Sequence, residues 1–262
     1  MSSRQPIAVF DSGLGGLTVL HALRECLPRE DYFYFADTRF LPYGDKPEVF
    51  LRERGVAIAE ALARQGAKAM VIACNTATAA AAEAIRAATP LPVVALEPGV
   101  KPAAQQTRSG VVGVLATTRT LQSARFQRLV GNHASHVRVI TQACPGLADT
   151  IEAQGPGSNA VETLLDDYVA PLAQGGADVV VLGCTHYPWV AEGIARRMPA
   201  GTVLLDTGAA VARQTERLLA AAGLLGGGEG RLSVATSGAP QQVTATVARL
   251  LGRKMHVEHW EP

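Results

Sequence analysis

Short runs of consecutive apolar residues alternate along the chain with longer amphipathic segments. Such runs are typical of strands buried in a parallel sheet, and the segments between them have the length of crossover helices. A leucine repeat with helical spacing runs from Leu17 to Leu27 before Pro28, and another helix is expected from about Glu48 to Gly66. The pattern predicts an α/β fold with mostly parallel sheets. The predicted strands cover residues 7–10, 32–35, 69–73, 93–96, 111–115, 137–141, 179–182, 203–205, 231–236 and 255–259.

Two segments of the first half are similar to two segments of the second half. Ile7–Ser12 resembles Val112–Thr117, and Val71–Thr76 resembles Val181–His186, at offsets of 105 and 110 residues. Because all four segments are strand-to-loop junctions, the nearly equal offsets predict two pseudo-symmetric α/β halves. The glycine-rich stretch Gly223–Gly230 is predicted to be a flexible connection to a final strand, helix and strand.

Composition narrows the class of protein. Hydrophobic residues make up 48% of the 262 residues and charged residues 18%, which is typical of a folded globular protein. The 24 basic and 23 acidic residues nearly cancel, so no nucleic-acid partner is expected and a small-molecule site is favoured. We expect no signal peptide and no membrane span, because charges interrupt the apolar stretches well short of ~18 residues.

The cysteines lie far apart in the sequence and form no C-x-x-C pair. Free thiols in a soluble, cytoplasmic protein are therefore expected. The four are Cys26, Cys74, Cys144 and Cys184.

Cys74 and Cys184 each follow a predicted strand directly and precede a segment with a helical pattern. We expect both thiols at the carboxyl edge of a sheet, where open α/β sheets bind ligands, and at a helix N-terminus, which lowers the pKa of a thiol. The next residues are of capping and hydrogen-bonding types, suited to a carboxylate ligand: Asn75, Thr76, Thr185 and His186. Two thiols in repeated contexts favour acid/base or nucleophilic chemistry over two small buried hydrophobes.

Cys184 and His186 also allow two other interpretations. A zinc site at Cys184 and His186 is disfavoured, because no second cysteine or histidine pair lies nearby at suitable spacing, and no metal is expected. A cysteine nucleophile with His186 as its base would leave Cys74 without a task.

Two loops carry further candidates. Asp11 and Ser12 end the first strand, so Asp11 is expected at the same sheet edge as Cys74, although a helix cap is the common role of such an aspartate. The glycines that follow, Gly13–Gly16, do not complete a dinucleotide-binding G-x-G-x-x-G motif. The turn Pro42–Gly44 is interpreted as presenting Tyr43 and a backbone amide to a ligand, or as an ordinary surface turn.

The sequence carries a family resemblance. Four motifs resemble the glutamate racemases, which are cofactor-independent members of the aspartate/glutamate racemase superfamily. The motif around Cys184 is the most specific of them, since related aspartate racemases usually have an acidic residue where His186 stands. They are Val9–Gly16 (VFDSGLGG), Pro42–Gly44 (PYG), Ala73–Ala77 (ACNTA) and Leu182–Pro188 (LGCTHYP).

The resemblance implies a two-base mechanism and a site. Cys74 is expected to act on D-glutamate with the help of Asp11, and Cys184 on L-glutamate with the help of His186. No cofactor is implied. The positions that match the family's substrate-binding residues are Asp11, Ser12, Tyr43, Gly44, Asn75, Thr76, Thr117, Thr120, Glu152, Thr185 and His186.

The resemblance also implies an architecture and a purpose. The first domain is expected to comprise residues 1–97 and 208–262, the second residues 98–207, and the active site the cleft between them. D-Glutamate is expected to serve peptidoglycan biosynthesis and cell shape, and we expect a homodimer. Two alternatives stay open: a racemase or decarboxylase of the same fold acting on another acid such as aspartate, and a non-catalytic amino-acid-binding protein.

Overall fold

The structure, a computed structural model, describes residues 2–262. These residues form two compact units. One unit comprises the described residues up to Leu96 together with Gly208–Pro262, and the other is Glu97–Thr207. Each unit has one parallel sheet with helices packed on it, so the predicted α/β fold is confirmed. No helix of residues 2–262 has the length and hydrophobicity that crossing a bilayer requires.

The elements lie close to their predicted positions. The strands of residues 2–262 are β1 (Ile7–Asp11), β2 (Tyr32–Ala36), β3 (Ala69–Ile72), β4 (Val93–Ala95), β5 (Val111–Ala116), β6 (Arg138–Ala143), β7 (Val179–Gly183), β8 (Val203–Leu205), β9 (Leu232–Thr236) and β10 (Glu258–His259). The α-helices of this part of the chain are α1 (Leu17–Cys26), α2 (Glu48–Arg64), α3 (Asn75–Ala88), α4 (Val100–Gln106), α5 (Thr118–Gln122), α6 (Ala124–His133), α7 (Leu147–Gln154), α8 (Asn159–Gln174), α9 (Ala191–Arg197), α10 (Gly208–Ala221) and α11 (Pro240–Leu251). The last strand is shorter than predicted, because only two residues of this edge strand are in register with β9.

The sheet of the first unit has the strand order β10-β9-β2-β1-β3-β4, with every pair parallel. Every residue of β1 is buried, as expected for a central strand covered on both faces. Phe10 and Ile72 pack in one core cluster with residues of α2 and α3, such as Ile58 and Ile85. The carboxyl ends of β1, β2 and β3 therefore lie side by side at one edge of a rigid sheet.

The sheet of the second unit has the order β6-β5-β7-β8, which repeats the order β2-β1-β3-β4 of the first. The register repeats as well. Val9 of β1 lies opposite Val71 of β3, and Val114 of β5 lies opposite Val181 of β7. These two pairs are related by the offsets of the sequence repeat, so the predicted likeness of topology is confirmed.

The glycine-rich stretch Gly223–Gly230 differs from the predicted flexible connection. The buried Lys68 ammonium donates to the Leu224 carbonyl at 2.9 Å and to the Glu30 carboxylate, whose Oε1 accepts from the Gly226 amide at 2.5 Å. A Cβ at Gly228 would lie 2.6 Å from the Asp31 nitrogen. The glycines permit close approach of the backbone to two buried charges, so this segment is anchored.

Candidate active site

The Cys74 thiol lies at the carboxyl end of β3, where the chain turns into α3. Cys74 is the N-cap residue, and its sulfur accepts a hydrogen bond from the Ala77 amide at 3.4 Å. The side chain is 5% exposed. The amides and dipole of the helix N-terminus favour a negatively charged sulfur, so this position suits a thiolate.

Asp11 and Ser12 reach the same thiol from the end of β1. The Ser12 hydroxyl lies 3.5 Å from the Cys74 sulfur and 3.3 Å from Asp11 Oδ1. The fully buried Asp11 carboxylate accepts from the Ser12 amide at 2.7 Å and from the Gly16 amide at 2.5 Å. A chain of polar contacts therefore connects a buried carboxylate, a hydroxyl and a thiol.

Gly16 is required for this arrangement. A Cβ at this position would lie 2.9 Å from Asp11 Cβ and 3.0 Å from Ala73 Cβ. Glycine at position 16 thus allows α1 to begin directly against the site, where the backbone amide of Gly16 donates to Asp11.

Polar side chains also line the first turn of α3. Asn75 and Thr76 follow the thiol and are both buried. Asn75 Oδ1 has no hydrogen-bond partner within residues 2–262. A buried acceptor without a partner is costly, so its place beside the thiol favours a bound donor group.

The loop after β2 directs the Tyr43 side chain into the protein. Tyr43 is buried, and its hydroxyl donates to Asp37 Oδ2 at 2.5 Å. Burial, together with the neighbouring Asp37 carboxylate, raises the pKa of Tyr43 far above its ordinary value. The hydroxyl therefore anchors the loop internally, and Gly44, where an added Cβ would meet nothing within 4 Å, borders open space.

Asp37 and Arg54 are site-edge residues that the sequence reasoning missed. Asp37 directly follows β2, next to Asp11, which is the last residue of the neighbouring strand β1, and Asp37 is fully buried. Arg54 Nε and Nη2 donate to its two carboxylate oxygens at 2.9 and 2.7 Å. The rule that polar residues after adjacent parallel strands share one edge, which was applied to Asp11, would have found Asp37.

The second thiol, Cys184, contacts a histidine, which in turn contacts a carboxylate. Its sulfur lies 3.6 Å from His186 Nδ1, and His186 Nε2 lies 2.7 Å from Glu152 Oε1. Cys184 and His186 are buried, and α7 supplies Glu152. The structure thus brings together three predicted site residues in the order thiol, imidazole and carboxylate.

The charge of His186 follows from these neighbours. Burial lowers the pKa of His186, but hydrogen bonds to Cys184 and Glu152 outweigh burial and hold the pKa well above 6.5. A protonated imidazole donates from both ring nitrogens, so His186 joins the sulfur and the carboxylate as a cation between two acceptors.

Cys184 is not the N-cap of an α-helix, and the expectation of a helix N-terminus is wrong here. The Tyr187 amide donates to the Cys184 carbonyl at 3.1 Å, and a 3₁₀ turn, Tyr187–Val190, follows. Pro188 lacks an amide donor and disfavours α-helical backbone at the preceding residue. The positive group beside the Cys184 sulfur is therefore the His186 side chain, whereas beside Cys74 it is the N-terminus of α3.

The remaining predicted residues of the second unit surround the same sheet edge. The hydroxyls of Thr117 and Thr120 lie 2.9 Å apart where β5 passes into α5. Thr185 is buried directly after Cys184. A Cβ at Gly183 would lie 2.8 Å from the Leu115 carbonyl oxygen, so glycine lets β7 end close against β5.

Cys26 and Cys144 stay outside these contact chains. Burial raises the pKa of Cys144 to about 12, so this thiol is neutral. The sulfur of Cys26, the last residue of α1, lies 3.8 Å from the Glu216 carboxylate of α10. The described residues, 2–262, contain no group of three or more Cys, His, Asp or Glu side chains placed to hold a metal ion.

Comparison with known proteins finds one consistent family. Residues 46–215 match the Asp/Glu/Hydantoin racemase family. A glutamate racemase of Ectopseudomonas mendocina is 51% identical over 97% of this chain and 98% of its own length.

Solved structures of glutamate racemases are also similar to this chain. Glutamate racemase isoform RacE1 of Bacillus anthracis is similar with a TM-score of 0.90 at 28% identity, over 99% of this chain and 98% of that one. Escherichia coli glutamate racemase, in complex with L-glutamate and the activator UDP-MurNAc-ala, is similar with a TM-score of 0.86 at 31% identity, over 97% of each chain.

Proposed function

Because the chain belongs to the Asp/Glu/Hydantoin racemase family and, within it, to the glutamate racemases, we propose that it interconverts L- and D-glutamate. We propose that two thiols, Cys74 and Cys184, exchange the α-proton without a cofactor. One thiolate removes the proton from one face of the α-carbon, and the opposite thiol delivers a proton to the other face.

The observation that carries this proposal is the matched position of the two thiols. Cys74 follows β3 and Cys184 follows β7, the equivalent strands of two sheets with one topology and one register. Inversion of a carbon centre needs one proton carrier on each face. Two repeated units, each with a buried thiol at the same sheet edge, supply such a pair.

We assign the D-glutamate base to Cys74 by the family resemblance, and its contacts suit a base. The Ala77 amide and the N-terminus of α3 stabilise the thiolate. Asp11 and Ser12 form a polar chain from the thiol to a buried carboxylate, which assists the movement of the proton. Asp11 therefore orients Ser12 and assists Cys74.

We assign the L-glutamate base to Cys184 by the same resemblance, and its contacts also suit a base. The His186 cation stabilises the Cys184 thiolate, and Glu152 holds the imidazole in place and balances its charge. When the thiolate takes up the α-proton, the charge on sulfur is lost and the histidine–glutamate pair remains. This is the logic of a nucleophile or base oriented by a second and a third group.

The substrate and its carbanion need donors and acceptors at the same edges. The unpartnered Asn75 Oδ1 suits the α-ammonium group, and the amides and hydroxyls that follow the strands suit the carboxylates. We assign these substrate contacts to Ser12, Tyr43, Gly44, Asn75, Thr76, Thr117, Thr120 and Thr185. Tyr43 contributes through its backbone, since its hydroxyl is engaged by Asp37.

We propose the wider role by family membership. The D-glutamate product would serve peptidoglycan biosynthesis and cell shape, in the cytoplasm, and the enzyme would act as a homodimer. Light scattering on the purified protein tests the dimer directly.

The test of the activity is proton exchange in heavy water. The protein is incubated with L-glutamate in D₂O without added cofactor, and optical rotation and the α-proton NMR signal are followed together. Loss of both signals is expected. An unchanged α-proton signal would refute the racemase, and binding without exchange would support a non-catalytic amino-acid-binding protein instead.

A further inference from the structure

A buried charged network lies at the carboxyl end of β2, next to the contacts of Cys74. Its centre is Asp37, whose two oxygens accept from Arg54 at 2.9 and 2.7 Å. Oδ2 also accepts from the Tyr43 hydroxyl at 2.5 Å. A helix, a strand end and a loop are therefore joined through a single carboxylate.

We propose that Asp37, held by Arg54, is a positioning residue that fixes the Pro42–Gly44 turn for substrate binding. This inference rests on the proposed function. Because the Tyr43 side chain points into the protein, the turn meets a ligand through its backbone and through Gly44, beside which an added Cβ would find open space. The position of that backbone depends on the Tyr43 anchor.

The same aspartate is tied to the catalytic edge. The Asp37 amide donates to the Asp11 carbonyl at 2.9 Å, and the Tyr43 ring lies 6.4 Å from the Phe10 ring. Asp11 is the carboxylate that holds Ser12 beside Cys74. The turn and the thiol therefore both depend on the position of the same short stretch of β1, Phe10 and Asp11.

Arg54 holds the loop at a second point. Its guanidinium lies 4.5 Å from the centre of the Phe40 ring, and Phe40 belongs to the loop between Asp37 and Tyr43. The Glu261 carboxylate lies 3.9 Å from Arg54 and 3.6 Å from Arg39. A bidentate, stacked arginine fixes geometry in a way that an apolar residue of equal volume would not.

A purely structural role and a positioning role predict different kinetics. Loss of folded protein lowers the amount of active enzyme and leaves KM unchanged. A misplaced substrate-binding loop loses interactions that stabilise the bound substrate and the transition state equally. Such a loss raises KM with little change in kcat. Since the equilibrium constant between enantiomers is unity, kcat/KM must change equally in both directions.

The experiment compares Tyr43→Phe with Tyr32→Phe. Tyr32, the first residue of β2, is also a buried tyrosine of the first unit, and its hydroxyl donates to the carbonyl groups of Leu23 and Leu27 at the end of α1. We expect Tyr43→Phe to raise KM for both enantiomers about tenfold with kcat changed less than about threefold, because a hydrogen bond to a charged group is lost. Tyr32→Phe should keep the parental KM.

Two further variants make the test specific. Asp37→Asn should raise KM at least as much as Tyr43→Phe does, and the double variant should be no worse than Asp37→Asn, because both changes remove one interaction. Should Asp37→Asn fail to fold, Tyr43→Phe carries the test alone, since the ring and its packing are retained. Hydrogen exchange in Tyr43→Phe should be faster at residues 38–47 than in the parent.

The outcomes separate the two proposals. A parental protein that does not racemise glutamate refutes the proposed function. A racemising parent whose Tyr43→Phe variant keeps both the parental KM and the parental exchange rate at residues 38–47 overturns the positioning role of Asp37.

Discussion

The contact between Gly16 and Asp11 makes the sharpest single-residue prediction for the first thiol. Gly16 has φ −61° and ψ −9°, an ordinary helical conformation that alanine adopts without strain. Gly16→Ala therefore changes only what the added methyl group meets. That methyl carbon would lie 2.9 Å from Asp11 Cβ, 3.0 Å from Ala73 Cβ and 3.1 Å from Asp11 Oδ2.

The magnitude follows from these distances. Carbon atoms pack favourably at about 3.5–4.0 Å, so the methyl group would overlap two Cβ atoms that can move only with the backbone. Overpacking of this kind costs about 1–3 kcal/mol, against a gain of about 0.4–1 kcal/mol from the stiffer unfolded chain. We expect a net destabilisation of about 1–2 kcal/mol.

Activity should fall as well as stability. Relief of the overlap moves α1 away from β1 and lengthens the 2.5 Å contact between the Gly16 amide and the Asp11 carboxylate. Asp11 then no longer holds Ser12 against Cys74, so kcat/KM should drop at least about tenfold, as expected for loss of a charge-assisted hydrogen bond.

Urea unfolding and a racemisation assay measure the two effects of Gly16→Ala. Gly131→Ala is the matched control, because Gly131 lies on exposed α6 and an added Cβ would meet nothing within 4 Å. The control should be unchanged in activity and stabilised by up to about 1 kcal/mol. Parental stability and parental activity in Gly16→Ala would refute the reasoning.

Three more predictions address the other parts of the account. Burial lowers the pKa of His186, but Cys184 and Glu152 raise it well above 6.5. The charged imidazole therefore contributes fully to the free energy of unfolding below about pH 6.5, and this contribution is lost as pH rises through the raised pKa. The unfolding free energy of the parent minus that of Glu152→Gln should fall over this alkaline window; a difference constant with pH would contradict the charged pair. Gly44→Ala should leave the thermal midpoint unchanged but raise KM for glutamate at least about tenfold by excluding substrate, and a parental KM would show that no ligand meets this turn. Lys68→Met leaves the buried Glu30 unpaired and should cost about 3–5 kcal/mol in urea unfolding, with kcat unchanged; a smaller loss than in exposed Arg64→Met would refute the anchoring role of Lys68.

The fold was predictable because buried parallel strands leave a strong signal. Ile7–Phe10 and Val179–Leu182 are continuous apolar runs, and their structural counterparts β1 and β7 differ from the predictions by one residue. The internal repeat was visible for the same reason, since strands with equal places in two sheets need similar residues.

The tertiary contacts of the site were not predictable from such patterns. Glu152 lies on α7 and reaches His186 across 34 residues of sequence, and its place in the site came only from the family resemblance. Asp37 and Arg54 pair across 17 residues, and no periodicity marks such a pair. Long-range polar contacts depend on how loops return to the sheet edge, which local preferences do not determine.

The structure differs from the sequence predictions at a glycine-rich stretch and next to a proline. The stretch Gly223–Gly230 suggests flexibility by composition, yet its backbone carbonyls and amides bind Lys68, Glu30 and Asp31. Pro188 was visible in the sequence, but its effect of replacing an α-helix by a 3₁₀ turn after Cys184 was not predicted. In both places tertiary contacts or local sterics outweigh the compositional trend.

Single-thiol variants in D₂O test the two-thiol mechanism most directly. Cys74→Ser and Cys184→Ser are each incubated with pure L- and pure D-glutamate, and α-deuterium and optical rotation are followed by NMR and polarimetry. Neither variant should racemise either enantiomer. Cys184→Ser, which retains Cys74, should exchange the α-proton of D-glutamate alone, and Cys74→Ser that of L-glutamate alone. Racemisation by either single variant at the parental rate would contradict the account.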